Sequence, residues 1–227
     1  MKTQENSHSP VSSCRRCGTC CKKGGPSFHR EDRSLIEQGI IPGRHLFTIR
    51  QGEMAHDNVR KRLSPLPSDL IKIKGKPGTW ACVFFDDTEN GCTIYEHRPV
   101  ECRALKCWDT REIERIYTRN RLTRKDLLEN VPGLWALIRE HRKRCDYGEI
   151  RALLEKTEGP ERQQALKALD PILRYDENIR NMVIEKGGPS AEMTDFLFGR
   201  SLVETLAAYG FKIEKKGERI RIVRMTR

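Results

Sequence analysis

The sequence lacks any apolar run of the roughly eighteen or more residues that a membrane-spanning helix needs. Its first thirteen residues, MKTQENSHSPVSS, contain no apolar segment that would read as a secretion signal and show no periodicity, so they are expected to form a disordered tail. No glycine-rich loop stands between a strand and a helix, which leaves no nucleotide or S-adenosylmethionine site of that kind. The C-x3-C-x2-C spacing of radical S-adenosylmethionine enzymes is missing too. No internal repeat or low-complexity stretch is visible. Apolar residues make up 37% of the 227 positions against 33% charged, a polar balance for a self-sufficient core that a bound metal could help to stabilise.

What the chain does have is sulfur. Of its nine cysteines, four fall within the eight residues CRRCGTCC, at Cys14, Cys17, Cys20 and Cys21. An odd number with an adjacent pair, in a chain without a visible export signal, points to a cytoplasmic protein that uses thiols for metal or redox chemistry, not for a disulfide framework. Cys14, Cys17 and Cys20 follow C-x2-C-x2-C, a spacing that lets three thiolates reach different corners of one cluster, as in bacterial ferredoxin loops. A single zinc ion is the alternative, since it takes four tetrahedral ligands and often draws them from two separated C-x2-C knuckles. No second knuckle follows downstream, so the remaining ligands must come singly. Cys82, Cys92 and Cys102 recur at ten-residue intervals, with Cys107 five further on. In a helix opened by Pro99, positions 102 and 107 lie about 140° apart around the axis. Cys102 is therefore the better ligand, unless the helix ends between them.

CRRCGTCC, then CVFFDDTENGC, then TIYEHRPVECR, together resemble the CxxCxxCC cysteine-cluster proteins, the YkgJ-like family, whose shared domain is described as zinc- or iron-chelating. The domain is also similar to one found in flagellin lysine N-methylases. The resemblance covers roughly residues 14–107 and implicates Cys14, Cys17, Cys20, Cys21, Cys82, Cys92 and Cys102 in metal binding. Adding Cys107 gives eight candidate ligands, with a 4Fe-4S cluster as the favoured cofactor and zinc as the alternative. A thiolate cluster of either kind carries about −2 charge. Arg15, Arg16, Lys22, Lys23, Arg98 and Arg103 are placed to offset it, although long cationic side chains more often face water.

The net charge of +11 permits nucleic-acid binding without requiring it. From Lys212 to Arg227, seven positive residues stand against two negative, but no aromatic residue interleaves with them for base stacking. Contact with nucleic acid is thus expected to be at most non-specific. A protein partner is compatible with the same basic surface. His29 and Asp32 are read as serving the start of a short helix at Glu31, and Cys145 as an ordinary free thiol. Tyr95 could either bond a thiolate or pack in a sheet, and Trp80, Trp108 and Trp135 are expected in the core.

The expected fold class is α+β. An irregular cysteine-rich, metal-bound core at 14–110 holds a small β-meander, built from 71–74, TWACVFF and CTIY; LFTIRQGE is a further candidate strand. Residues 111–227 form a helical region that ends in a β-hairpin around Lys216-Gly217. Thr123 and Asp126 are expected to cap one helix, Pro132 to open the next, and Tyr147 to Leu154 to form a third. Asp170-Pro171 is expected to begin another, stopped at Gly187, and a last helix to run from Thr194 to Tyr209.

Overall fold

A computed structural model describes residues 14, 16–186, 190–216 and 219–225, so the tail expected at 1–13, the helix stop at Gly187 and the tip of the terminal hairpin lie outside the described residues. The chain is α+β, with helices and small antiparallel strand pairs. In order these are α1 (Arg33–Glu37), β1 (Leu46–Ile49), β2 (Met54–Asp57), β3 (Arg62–Pro65), β4 (Leu70–Ile73), β5 (Phe85–Asp86), β6 (Gly91–Cys92), α2 (Val100–Ala104), α3 (Arg111–Ile116), α4 (Arg124–Leu128), α5 (Pro132–Arg144), α6 (Tyr147–Lys156), α7 (Arg162–Glu185), α8 (Thr194–Phe198), α9 (Leu202–Thr205), β7 (Phe211–Lys216) and β8 (Arg219–Arg224).

The alternation at Ile71, Lys72, Ile73 and Lys74 does produce a strand, but its ladder partner is β1, with Leu46 opposite Ile73 and Ile49 opposite Leu70. On its other edge Ser27 bridges to Lys72, and Phe28 donates its backbone N–H to Ile71 at 3.0 Å. Phe28 in turn accepts from Leu122, which carries the chain between 26 and 30 along two neighbours. The expected meander shrinks accordingly. TWACVFF is no continuous strand, because the Cys82 N–H is taken by the Cys21 carbonyl at 2.8 Å instead of by a strand neighbour. What remains of the pairing is the bridge between Gly75 and Cys82 and the short β5–β6 ladder, in which Phe85 faces Cys92.

The helices follow their local signals closely at the N-terminal caps. Thr123 and Asp126 form a reciprocal capping box at α4, and Pro132 occupies the first turn of α5, where its missing N–H costs nothing. Asp170-Pro171 is a different matter. It starts no helix but lies within α7, which runs unbroken from Arg162. An interior proline usually costs about 3 kcal/mol. Here Ala165 and Leu169 lie on the same buried stripe as Leu173, Ile179 and Val183, and their burial offsets that cost. The last expected helix is interrupted instead. Gly199 at φ +79° separates α8 from α9, and an added Cβ there would lie 2.6 Å from Cγ of Arg50, so only glycine fits the turn. The terminal hairpin pairs as expected, from Phe211 opposite Arg224 to Lys216 opposite Arg219.

Two packed clusters result. The first joins Phe28, Ile41, Leu46, Ile71, Ile73 and Phe85 to Leu122, Ile138, Ile179 and Phe196–Phe198; the second joins Tyr147, Ile150 and Leu154 to Leu169, Leu202, Phe211 and Ile222. Trp135 packs against the first, as expected. Trp80 and Trp108 do not enter a core: they are 76% and 40% exposed, being set in the turn after Gly75–Thr79 and in the turn between α2 and α3.

Candidate metal centre

Four separate segments bring thiols towards one another. The run at 17–23 is a loop with a single 3-10 turn over Cys21–Lys23, closed by the Lys22 N–H bonding to the Gly18 carbonyl at 2.8 Å. Gly18 has φ +72°, and a Cβ there would lie 2.5 Å from the Phe85 ring, so the loop lies flat on β5 only because position 18 has no side chain. The backbone bond from Cys82 to Cys21 fixes the turn at 82 beside the loop, Cys92 stands opposite Phe85, and Cys102 projects from α2.

The electrostatics record this convergence. Burial raises the Cys102 thiol well above its ordinary value, and the neighbouring thiolates of Cys82, Cys92 and Cys20 raise it further. Cys82 is raised by burial too, with Cys92 and Cys20 adding to the effect. Cys20 and Cys21 lie 4.0 Å apart, sulfur to sulfur. The hydrogen bond from Cys21 pulls Cys20 down to about 6, helped by the charge of Arg98, while Cys21 itself is raised as the donor. Cys17, exposed, is lowered by the Thr19 hydroxyl at 3.3 Å. Crowded thiols of this kind hold protons against mutual repulsion, and a cation that displaces those protons relieves it.

Of the eight candidates, the structure thus brings together Cys20, Cys21, Cys82, Cys92 and Cys102, with Cys17 at the edge beside Cys20. Cys14 is exposed, its sulfur accepting from the Arg16 N–H at 3.4 Å. Cys107 is exposed as well; α2 ends at Ala104, between it and Cys102, so no helical angle separates the two, and it is the exposure of Cys107, in the turn bridged from Lys106 to Asp109, that leaves it out of the group.

Cationic groups surround the thiols. The Arg98 guanidinium stacks on Tyr95 at 3.6 Å and the Arg16 guanidinium on the same ring at 4.5 Å, so the phenol ties the cysteine loop to the turn before α2 and its role is packing. Lys22 lies over Phe85, and Arg103 bonds the Arg98 carbonyl; Arg15 lies outside the described residues. Lys72, half-buried and not anticipated as part of the site, has its ammonium pKa lowered by burial and is held by the negative charge of Glu101 and Cys102. The alternation IKIK suggests an outward lysine, and only the packing of residues 26–30 on that edge turns its environment inward.

His29 and Asp32 form a reciprocal cap at the start of the turn before α1, as expected. Asp32 does more, since its second oxygen accepts the Val100 N–H at 2.8 Å. Glu101 accepts the Ser27 N–H at 2.6 Å and faces His29 Nε2 at 3.4 Å. Its only signal in the sequence is an acidic residue directly before a candidate ligand.

Among the described residues, one group of three ligand-type atoms lies within 4.8 Å: His141, Cys145 and Asp176, all buried. This group suits no cation. Asp176 already accepts from His141 Nε2 at 2.7 Å, from Arg180 at 3.0 Å and from the Leu202 N–H at 2.9 Å, and the Arg50 charge stands close by. It is a buried ion network joining α5, α7 and α9, and Cys145 within it is a free thiol that burial raises to about 12.

Among the described residues, no helix is long and apolar enough to cross a membrane. No curated protein and no solved structure matches the chain. Residues 13–122, just under half of the chain, match the CxxCxxCC family model, described as "putative zinc- or iron-chelating domain", over the stretch where the thiols converge.

Proposed function

We propose that this domain holds a resident iron-sulfur cluster of the 4Fe-4S type, with Cys20, Cys82, Cys92 and Cys102 as its ligands and Cys17 and Cys21 beside them. The observation that carries this reading is the meeting of thiols from four segments: Cys20, Cys82 and Cys92 all act on Cys102, and Cys20 lies 4.0 Å from Cys21, sulfur to sulfur. Thiolates from a C-x2-C-x2-C run joined by distal cysteines are the ligand type of a four-iron cluster, with a tetrahedral zinc ion as the alternative. Electron transfer is the chemistry such a cluster supplies when bound.

The chain's own residues would bind and insulate it. Phe85 and the flat loop at Gly18 cover one side, while Arg16, Arg98 and Lys72 offset the negative charge of the thiolates. Nine free cysteines suit a reducing compartment, which supports a cytoplasmic location and a redox role. Serine substitution tests the ligand set. Cys20→Ser, Cys82→Ser, Cys92→Ser and Cys102→Ser should each lose stoichiometric metal, while Cys107→Ser and Cys145→Ser keep it. Equal loss from Cys145→Ser and Cys102→Ser would mean that the site is drawn wrongly.

A further inference from the structure

The helix that carries Cys102 is only five residues long, from Val100 to Ala104. A helix that short has no stability of its own, so something else must hold the Cys102 thiol in place. Two carboxylates do so. Asp32, 1% exposed, accepts the Val100 N–H at 2.8 Å with one oxygen and the His29 N–H at 3.0 Å with the other. Glu101, its side chain 14% exposed, accepts the Ser27 N–H at 2.6 Å and faces His29 Nε2 at 3.4 Å. Both bonds run between α2 and residues 27–32, the stretch that leaves the cysteine run and pairs with β4. Lys72, on β4, reaches the Ser27 hydroxyl at 3.4 Å and brings its positive charge towards Glu101.

The bonds from Ser27 to Glu101 and from Val100 to Asp32 join residues 74 and 68 positions apart in the chain, and neither involves a thiol. Negative charge next to a cluster of thiolates is electrostatically unfavourable, so these carboxylates are not placed there to attract a cation through Cys102. Their oxygens are spent on backbone N–H groups, which makes them geometric ties.

We infer that Asp32 and Glu101 are positioning residues of the metal centre, clamping α2 to the exit of the cysteine run so that the Cys102 thiol is set before any metal arrives. The inference rests on the proposed metal centre, but the clamp has its own signature in metal-free protein. There the Cys102 side chain is held against neighbours, and cutting the tie lets the short helix open and exposes the thiol.

The test compares Glu101→Met, which keeps the length and removes the acceptor, with Glu101→Gln, which loses the charge but keeps an amide oxygen for the Ser27 N–H. Circular dichroism establishes that each variant is folded. The first readout is the rate at which iodoacetamide alkylates Cys102 in the metal-free full-length chain, followed by mass spectrometry of the peptide. The second is titration with cobalt(II), whose thiolate charge-transfer and d–d bands report both affinity and ligand geometry.

Glu101→Met should alkylate at Cys102 several-fold faster and bind cobalt about 10–100-fold more weakly with altered d–d bands, as is typical when an outer partner of a ligand is lost. Glu101→Gln should stay close to the natural protein in both. Should Glu101→Met not fold, Asp32→Asn carries the comparison, since it keeps one acceptor oxygen and should show an intermediate change. A Glu101→Met protein that matches the natural one in both readouts overturns the clamp. So does a Glu101→Gln protein impaired as severely as Glu101→Met, which would make charge the active feature. If the natural protein takes up no cobalt and no iron, the metal centre fails, while the alkylation rates still decide the clamp.

Discussion

Mild acid should weaken this fold through one residue, His141. Its ring is fully buried near the end of α5, with Nε2 2.7 Å from Asp176 Oδ1. Burial is the main cause that holds its pKa at about 4, the Arg50 charge adds to it, and the Asp176 carboxylate opposes it without prevailing. In the unfolded chain the imidazole titrates near 6.5. Between the two values the unfolded chain binds a proton that the folded chain does not. Stability from this residue is therefore complete above about pH 6.5 and drains away as the pH falls towards 4. At about 1.4 kcal/mol per pH unit, that interval amounts to roughly 3 kcal/mol. For a chain of this length each kcal/mol moves the midpoint by about 2–4 °C, so the shift should be roughly 6–12 °C. Other groups titrate in the same range, including thiols on a metal, so the quantity to measure is a difference. Thermal melts of the natural protein and His141→Gln from pH 7.5 to 4 should diverge. The glutamine amide can still donate to Asp176 but does not titrate, and its curve should be flatter by that amount. Parallel curves, or a natural protein stabilised by acid, would refute the reasoning.

Three further outcomes follow. Gly199→Ala should destabilise by about 2 kcal/mol or more, since position 199 combines φ +79° with a Cβ 2.6 Å from Arg50 Cγ, and calorimetry should show the loss. Thr123→Ala breaks the capping box at α4, costs about 1 kcal/mol, and should lower the melting midpoint by about 2–4 °C. Affinity for DNA or RNA, measured by fluorescence anisotropy, should fall by roughly 10³ or more between 50 and 200 mM salt if six or more phosphates are contacted, and should not depend on sequence. Tight, selective binding at 150 mM salt would instead promote a basic recognition surface, with Arg219, Arg221 and Arg224 the first residues to neutralise.

Local signals in the sequence were legible where one segment decides the outcome. The reciprocal Thr123 and Asp126 cap, Pro132 at its helix start, and the antiparallel pairing of the two terminal strands each stand in the structure as their chemistry dictates. The cysteine spacing disclosed the domain for the same reason. What escaped was decided between distant segments. The β4 strand pairs with β1 while residues 26–30 fill its other edge, and α7 passes through Pro171 because Leu169 and Leu173, on either side of it, have a core to enter. The polar interior escaped altogether. Arg50, Arg124 and Asp176 look like surface charges in sequence, yet Arg124 pairs with Asp69 at 2.7 Å in the interior, and Arg50 lies against Tyr147. Glu101 was hidden likewise, because its partners at Ser27 and His29 are more than 70 residues away.

The central claim is that the converging thiols hold an iron-sulfur cluster, and anaerobic purification of the full-length chain tests it most directly. Iron, acid-labile sulfide and zinc would be quantified on the same sample whose visible spectrum is recorded. The account predicts brown protein with broad charge-transfer absorption and iron and sulfide in about equal amounts, near four of each per chain. Colourless protein that carries zinc alone, without sulfide, would contradict it.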